Sequence, residues 1–390
     1  LLIILLCLII LYLTLKNNLI LFIYISNMDY YKDKSKIGVE YLWTGPDNTF
    51  VSSNNINITK KRFFTKVRTL ELKNSTLSKP TLIDFPIWSF DGSSTGHVVP
   101  TSCNTNTEVM LKPVKLLIHP FASESIKYLV LCDIFDINGQ PNKYSTRANV
   151  LDTFNKNNNL VPWFGLEQEY VFMDALTNAI YGWDLNDITR WPQQNDHYCN
   201  MSIFHKNLRP IVEEHYKKCL LAGINISGFN AEVMPSQWEF QIGPSVGIDA
   251  ADELTVARYI LERLAESNDL YINYHSKPVS SYNGSGCHHN FSTIQTRNLT
   301  ETNYQQFYGE LFKKFDLGHK QILNFYGTDN NYRLTGIHET SNMSIFTYGI
   351  GTRHTSIRVP VNTWTYFEDR RPSSSIDPYV STWALLNMYL

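Results

Sequence analysis

Residues 163–172 read Trp163-Phe-Gly-Leu-Glu167-Gln-Glu169-Tyr-Val-Phe172. The aromatic and β-branched residues flanking the acidic pair favour a strand. In a strand, side chains two apart share a face. Glu167 and Glu169 therefore project together, while Leu166, Gln168, Tyr170 and Phe172 project the other way. Two carboxylates held that close repel unless a cation lies between them. Taken alone, a solvated strand face explains the pair equally well, so its meaning depends on what surrounds it.

Downstream, Asn230-Ala-Glu232-Val-Met-Pro235-Ser-Gln237-Trp-Glu239-Phe-Gln241-Ile-Gly-Pro244 excludes a continuous helix and favours two strands folding back at Pro235-Ser. On the second strand Gln237, Glu239 and Gln241 alternate with Trp238, Phe240 and Ile242, giving one polar and one apolar face. A third segment, Asn283-Gly284-Ser285-Gly286-Cys287-His288-His289-Asn290-Phe-Ser, follows two glycines with a histidine, and glycine permits close backbone approach to a ligand. The last acidic candidate is Glu368, in Tyr366-Phe-Glu368-Asp-Arg370-Arg371-Pro372. Glu167, Glu169, Glu232, Glu239, His288 and Glu368 together supply hard oxygen donors and a single imidazole. Such a set suits Mg²⁺ or Mn²⁺ rather than structural zinc. Two octahedral ions with three protein ligands each would use all six.

Arginines accompany these acids. Arg333 precedes Leu-Thr-Gly-Ile-His-Glu339, Arg353 and Arg358 lie in one short segment, and Arg370 follows Glu368 by two residues. Guanidinium forks grip carboxylates and phosphates, so beside a two-metal carboxylate site they point to phosphoryl transfer. No GxxxxGK[ST] loop is present, which excludes a P-loop enzyme.

The remainder of the chain bounds the reading. Its 390 residues carry 43% hydrophobic and 18% charged residues and a formal net charge of −2, with no electrostatic footprint for nucleic acid. Six cysteines lack paired spacing, consistent with free thiols in a reducing compartment and a cytoplasmic location. Residues 1–27 form an apolar leader broken by Lys16-Asn17-Asn18, short of a membrane span and without a basic start or cleavage site. Met28 is the expected native start; membrane association through a genuine leader is the alternative. The sequons at Asn283 and Asn290 flank a proposed metal ligand, where a glycan would block the site.

Residues 37–137 carry short β-type runs such as Lys127–Phe135, with a long aperiodic stretch at Asp91–Asn106. After the linker Asn138–Asn142, helix and strand patterns mix: Ser145 is a candidate N-cap, and helices are expected at His205–Leu221, closed by Gly223, and at Asp252–Ala265. A helical zone spans Tyr304–Phe325, and Ile345–Pro360 turns strand-like. The expectation is a smaller β-rich domain, 37–137, before a larger α+β domain, 143–390.

The chain resembles glutamine synthetases of the eukaryotic type. The resemblance rests on Phe90-Asp91-Gly-Ser-Ser-Thr, Trp163-Phe-Gly-Leu-Glu-Gln-Glu, Asn230-Ala-Glu-Val-Met-Pro, Gln237-Trp-Glu-Phe-Gln-Ile-Gly-Pro, Asn283-Gly-Ser-Gly-Cys-His, Arg333-Leu-Thr-Gly-Ile-His-Glu-Thr, Ser356-Ile-Arg-Val-Pro and Tyr366-Phe-Glu-Asp-Arg-Arg-Pro. They follow the family's order and cover nearly everything from Ile37 onward. The resemblance implies an α+β fold: a β-grasp-like N-terminal domain, then a larger catalytic domain with an antiparallel sheet and flanking helices. It implies ATP-dependent joining of ammonia to the glutamate γ-carboxylate, with ATP as co-substrate and two Mg²⁺ or Mn²⁺ per site. By motif position, Glu169, Glu232 and Glu239 would hold one metal, and Glu167, His288 and Glu368 the other. Asn283, Gly284, Arg333, Arg353 and Arg370 would bind glutamate, and Asn290, Phe291, Ser292, Arg353, Arg358 and Tyr366 the nucleotide. Asp91, from an adjacent subunit, would bind ammonium and take its proton, and Glu339 would sit on a flap. The family pattern further implies homo-oligomeric rings, expected to be decameric, with sites at subunit interfaces.

Some residues depart from that pattern. The loop after Asp91 is longer, Pro360–Tyr366 is shorter, His289 and His354 replace small residues, and Ile345 replaces an acidic one. Two rival expectations are a γ-glutamyl-amine ligase, sharing metals and ATP chemistry, and a non-catalytic structural relative, which would have lost ligands.

Overall fold

A computed structural model describes residues 36–51, 57–71, 80–101, 105–123, 125–184, 193–194, 196–202 and 206–390. The leader at 1–27 and the expected start at Met28 lie outside them. Among the described residues no helix is long and apolar enough to cross a membrane.

Strands β1 (Lys36–Val51), β2 (Asn57–Glu71), β3 (Trp88–Asp91), β4 (Glu108–Ile118) and β5 (Ile126–Phe135) form a mixed sheet in the order β2-β1-β5-β4-β3. Its β1 and β5 are parallel and the other pairs antiparallel. The continuous apolar run in β5 follows from burial on both faces. Val130, Cys132 and Ile134 join a small core with Ile37, Val39, Tyr41 and Trp43. Leu129 and Leu131 instead join Leu42 and Leu117 in the main core beneath the larger domain. The two sequence regions thus share one hydrophobic core. Polar contacts cross the same seam: the buried Glu40 carboxylate accepts from Tyr259 at 2.9 Å and Arg263 at 3.2 Å, and His119 lies 2.5 Å from it.

The second sheet has eight strands. They are β6 (Trp163–Asp174), β7 (Ile226–Ala231), β8 (Gln237–Val246), β9 (Leu270–Asn273), β10 (Cys287–Ser292), β11 (Tyr348–Ile350), β12 (Ile357–Val359) and β13 (Phe367–Asp369). Their order is β11-β12-β13-β10-β6-β8-β7, with β9 on the end of β6. All pairs are antiparallel except β11–β12. Leu166, Tyr170, Phe172, Trp238, Phe240 and Ile242 bury one face in the main core, together with residues of the helices that flank the sheet. These are α1 (Thr146–Lys156), α2 (Arg209–Ala222), α3 (Asp249–Glu266), α4 (Tyr304–Leu317) and α5 (Pro378–Tyr389).

Local chemistry explains where helices depart from the sequence expectation. Helix α2 begins at Arg209, because Pro210 is tolerated only in a first turn. It ends on Gly223 at φ 82°. Ser145 precedes α1 but does not cap it: its hydroxyl accepts from Ile134 N at 3.0 Å. The zone 304–325 breaks at Gly318, where a Cβ would lie 2.4 Å from Met388 Cε of α5. Helix α3 gains a turn at its start, reaching back to Asp249.

Candidate functional site

Strand register assembles the acidic residues. In the β6–β10 pair Glu167 stands opposite His288, and in β6–β8 Glu169 stands opposite Glu239. Asn290 on β10 faces Glu368 on β13, which in turn faces Arg358 on β12. Because side chains alternate along each strand, all of these project to the face opposite the apolar layer. Glu232 joins them from the reversal after β7, where Ser236 adopts φ 65°. Glu167, Glu169, Glu232, Glu239 and His288, with Arg333, Glu339, Arg353, Arg358 and Arg370, line one polar cavity of about 470 Å³, and Glu368 contacts it through Arg358 and Arg370.

The six candidate ligands comprise one trio with converging donor atoms and the three that the family resemblance groups as a second set. Potential donor atoms of Glu167, His288 and Glu368 all lie within 4.8 Å of one another. His288 Nδ1 is 3.4 Å from both Glu167 Oε2 and Glu368 Oε1. Burial and the neighbouring Arg370 hold this imidazole neutral, its pKa well below the usual value, which is the form that can bind a metal. Glu368 is fully buried and its charge is compensated, with Arg358 Nε at 2.5 Å and Arg370 Nη1 donating at 2.8 Å.

The other trio carries no such compensation at contact distance. Glu169 accepts from Gly286 N at 2.9 Å and Gln237 Nε2 at 3.2 Å, Glu232 from Asn230 Nδ2 at 3.0 Å and Val233 N at 3.1 Å, and Glu239 from Gln241. These donors are neutral amides. Burial, reinforced by the charge of Glu232, pushes the Glu169 carboxyl up to about 8. Burial likewise raises Glu232 to about 7, and burial with the surrounding glutamates raises Glu239 well above the carboxylate range. Three carboxyls, Glu169 and Glu239 buried and Glu232 half-buried, with no guanidinium at contact distance fit a divalent cation, as does the mixed oxygen and imidazole set beside them.

Glu167 and Glu368 both converge on His288, which also approaches Glu169. Its Nε2 lies 4.0 Å from Glu169 Oε1. The glycines of the 283–290 segment also serve a different neighbour. A Cβ on Gly284 would lie 2.6 Å from Arg333 Cγ, and one on Gly286 would lie 2.7 Å from His288 Nε2. They admit protein side chains, and so bring Arg333 and His288 close to the backbone.

Two arginines read as substrate grips are committed to protein oxygens. Arg333 is buried; its Nη2 donates to the carbonyls of Arg370, Arg371 and Pro372, and its Nε to Asn330. Arg370 ties Glu368 to the main-chain oxygens of Arg353 at 3.1 Å and Glu339 at 3.2 Å. Arg353 is the exposed guanidinium at the cavity. Glu339 and His338 hold consecutive left-handed conformations, φ 59° and 55°. Thr340 Oγ1 pins that loop to the carbonyls of Arg333 and Ile337.

The remaining expected residues are dispersed. Asn283 and Gly284 line the cavity. Asn290 donates to Glu167 at 2.7 Å and so orients a carboxylate. Phe291 is fully buried against Phe164, Phe367 and Tyr389, leaving only its backbone for a nucleotide. Ser292 accepts from Arg297 at 2.9 Å, and Tyr366 is half-buried beside β13. Asp91 stands outside the cavity, exposed at the end of β3. Hydroxyls of Ser94, Ser93 and Thr107 hold its carboxyl well below the usual range.

Among the departures, His289 points into the core, bonded to Cys287 O at 2.8 Å and Ser381 Oγ at 3.0 Å, and burial lowers it to about 4. His354 and Ile345 are exposed. Sequence reasoning missed Tyr198, which lines the cavity, and the orienting roles of Gln237, Gln241 and Asn230. The alternating amides on β8 were the available signal for the glutamines; nothing local marks Tyr198.

Comparison with known proteins gives a consistent result. The family described as "Glutamine synthetase, catalytic domain" matches residues 145–389. A "Putative glutamine synthetase" of Acanthamoeba polyphaga mimivirus is 39% identical over 353 residues, covering 89% of this chain and 92% of its own. The glutamine synthetase of Schizosaccharomyces pombe is 42% identical over 320 residues, covering 80% and 86%. The nodule isozyme of Medicago sativa is 38% identical over 363 residues, covering 91% and 94%.

Proposed function

The chain belongs to the glutamine synthetase family, and on that premise we propose that it is an ATP-dependent ligase joining ammonia to the γ-carboxylate of glutamate. The reaction passes through γ-glutamyl phosphate and yields glutamine, ADP and phosphate. The observation that carries this reading is the convergence of Glu167, Glu169, Glu232, Glu239, His288 and a set of arginines on one cavity, with Glu368 paired to two of those arginines.

A carboxylate is a poor electrophile, so it is first activated as an acyl phosphate. Arg353, exposed at the cavity, and Arg358, anchored on Glu368, supply fixed positive charge for the anionic groups involved. Two divalent cations, Mg²⁺ or Mn²⁺, would be held by Glu167, His288 and Glu368 and by Glu169, Glu232 and Glu239. When bound they supply charge neutralisation for phosphoryl transfer. Arg370 holds the Glu339 loop against Arg353 and Glu368, which supports a flap that limits water access to the acyl phosphate.

Asp91 belongs to the second step. Its three hydroxyl neighbours keep it ionised, as binding an ammonium cation requires. Its place outside the cavity lining of its own chain, and the exposed apolar Ile83, Ile87 and Val99 in the same sequence region, support completion of a neighbour's site within a homo-oligomeric ring, expected to be decameric. Free thiols at Cys132, Cys199, Cys219 and Cys287 support a cytoplasmic location.

The test is phosphate release dependent on both ATP and glutamate, with ammonia compared against methylamine and putrescine. Ammonia should be the preferred nucleophile. Faster turnover with the larger amines would assign a γ-glutamyl-amine ligase, and no turnover with any would assign a non-catalytic relative.

A further inference from the structure

Gln168 sits between the two acidic residues of β6 but projects to the opposite face, into a layer otherwise formed by Leu166, Tyr170 and Phe172. It is fully buried, and a buried amide is costly unless every polar group finds a partner. Its carbonyl oxygen accepts from Nε of Arg258 on α3 at 2.8 Å and also from Nη2. Its amide nitrogen donates to Glu169 O at 2.7 Å and Ser374 Oγ at 2.8 Å.

Arg258, itself buried, reaches further along the same seam. Nη2 donates to Ser374 O at 3.0 Å and Nη1 to Ile376 O at 2.8 Å. Ser374 Oγ donates to Glu169 O at 2.5 Å, and Ser374 N to Ser285 O at 3.0 Å. The Ser285 hydroxyl in turn accepts from Gln237 Nε2, whose amide also binds the Glu169 carboxylate. One guanidinium behind the sheet thus joins three segments: β6, the chain just beyond Arg370, and the loop leading to His288.

We propose that Arg258 is a positioning residue for the carboxylates of the cavity, acting through Gln168 and Ser374 to set where the Glu169 main chain stands relative to Glu239 and His288. The planar fork is what this role needs. It presents Nε and Nη2 together to Gln168 while Nη1 reaches a separate carbonyl, a geometry that a lysine ammonium does not reproduce. Residues behind metal ligands that orient them typically change metal affinity about 10–100-fold when altered.

The inference rests on the reading of these carboxylates as metal ligands, so the test measures metal binding directly. Full-length wild type, Arg258→Lys and Ser374→Ala would be titrated with Mn²⁺, reading free Mn²⁺ by electron paramagnetic resonance, with circular dichroism and oligomeric state as controls. Arg258→Lys should weaken one Mn²⁺ site about 10–100-fold with secondary structure retained, and Ser374→Ala should shift the same site less. Ser374→Ala deletes a single oxygen, so it carries the test if Arg258→Lys fails to fold. Wild-type Mn²⁺ affinity in the folded variants, with only a lowered melting temperature, would reduce Arg258 to a packing role and overturn the proposal. Absence of Mn²⁺ binding by the wild type would overturn the metal reading, and this inference with it.

Discussion

The two acidic trios adjoin one cavity, yet they handle enclosed charge differently. In the first, Glu368 is paired with Arg358 and Arg370, and a neutral His288 separates it from Glu167. Its positive charge is built into the chain, and its donor atoms converge. In the second, Glu169, Glu232 and Glu239 accept hydrogen bonds from amides alone. Their carboxyls become weaker acids accordingly. The first trio is organised by arginines of the chain itself, whereas the second has no guanidinium at contact distance.

Glu239→Ala is the severest test of that difference. Turnover should be abolished and one metal lost, while the metal-free protein should melt no lower than wild type, because one of three repelling carboxylates is gone. Retained turnover with unchanged metal stoichiometry would break the assignment.

Asp91 lies outside both trios and offers the contrasting case. Asp91→Ala should leave metal binding intact and slow the ammonia step by about 10²–10⁴-fold, as loss of a positioned proton acceptor does. Hydroxylamine, a strong neutral nucleophile, should be affected less. Mixed rings of Asp91→Ala with Glu239→Ala should recover partial activity; none in verified mixed rings would rule out a shared site.

Glu368→Ala should act opposite to Glu239→Ala on the metal-free fold. It strands two arginines, one of them buried, and breaking such a pair costs about 3–5 kcal/mol. Chemical denaturation in chelator reads this directly, and equal stability in the two variants would dissolve the comparison.

The smallest effect is in pH. Glu169 and Glu232 keep their protons when folded up to about 8 and about 7, whereas unfolded glutamates release theirs near 4.3. Across that window the folded state binds more protons, so these groups lose stability as pH rises. Metal-free melting temperatures should therefore fall from about pH 5 to pH 8, with a shallower slope in Glu239→Gln. An identical slope would show that the trio does not titrate as a unit.

Much of this site was legible because strand alternation is a local rule. Glu167 and Glu169 on one face, and Gln237, Glu239 and Gln241 on another, follow from period two alone. The arginines are harder to read for the opposite reason. A guanidinium seeks any oxygen, and whether Arg333 and Arg370 meet a ligand or a carbonyl depends on segments far apart in sequence. Gln168 was likewise assigned to a face but not to a purpose, since its partners lie on α3 and beyond β13.

By itself, then, the sequence determined which side chains share a strand face, where Pro235 reverses the chain, where Gly223 stops a helix, and which family the motifs belong to. Each of these is settled within a few residues by backbone geometry. Only the tertiary structure set the inter-strand register that stands these side chains opposite one another. It paired Glu167 with His288 and Glu169 with Glu239, and it turned His289 into the core. It also decided that Arg258 should stand behind β6, joining segments over a hundred residues apart through hydrogen bonds that burial makes obligatory.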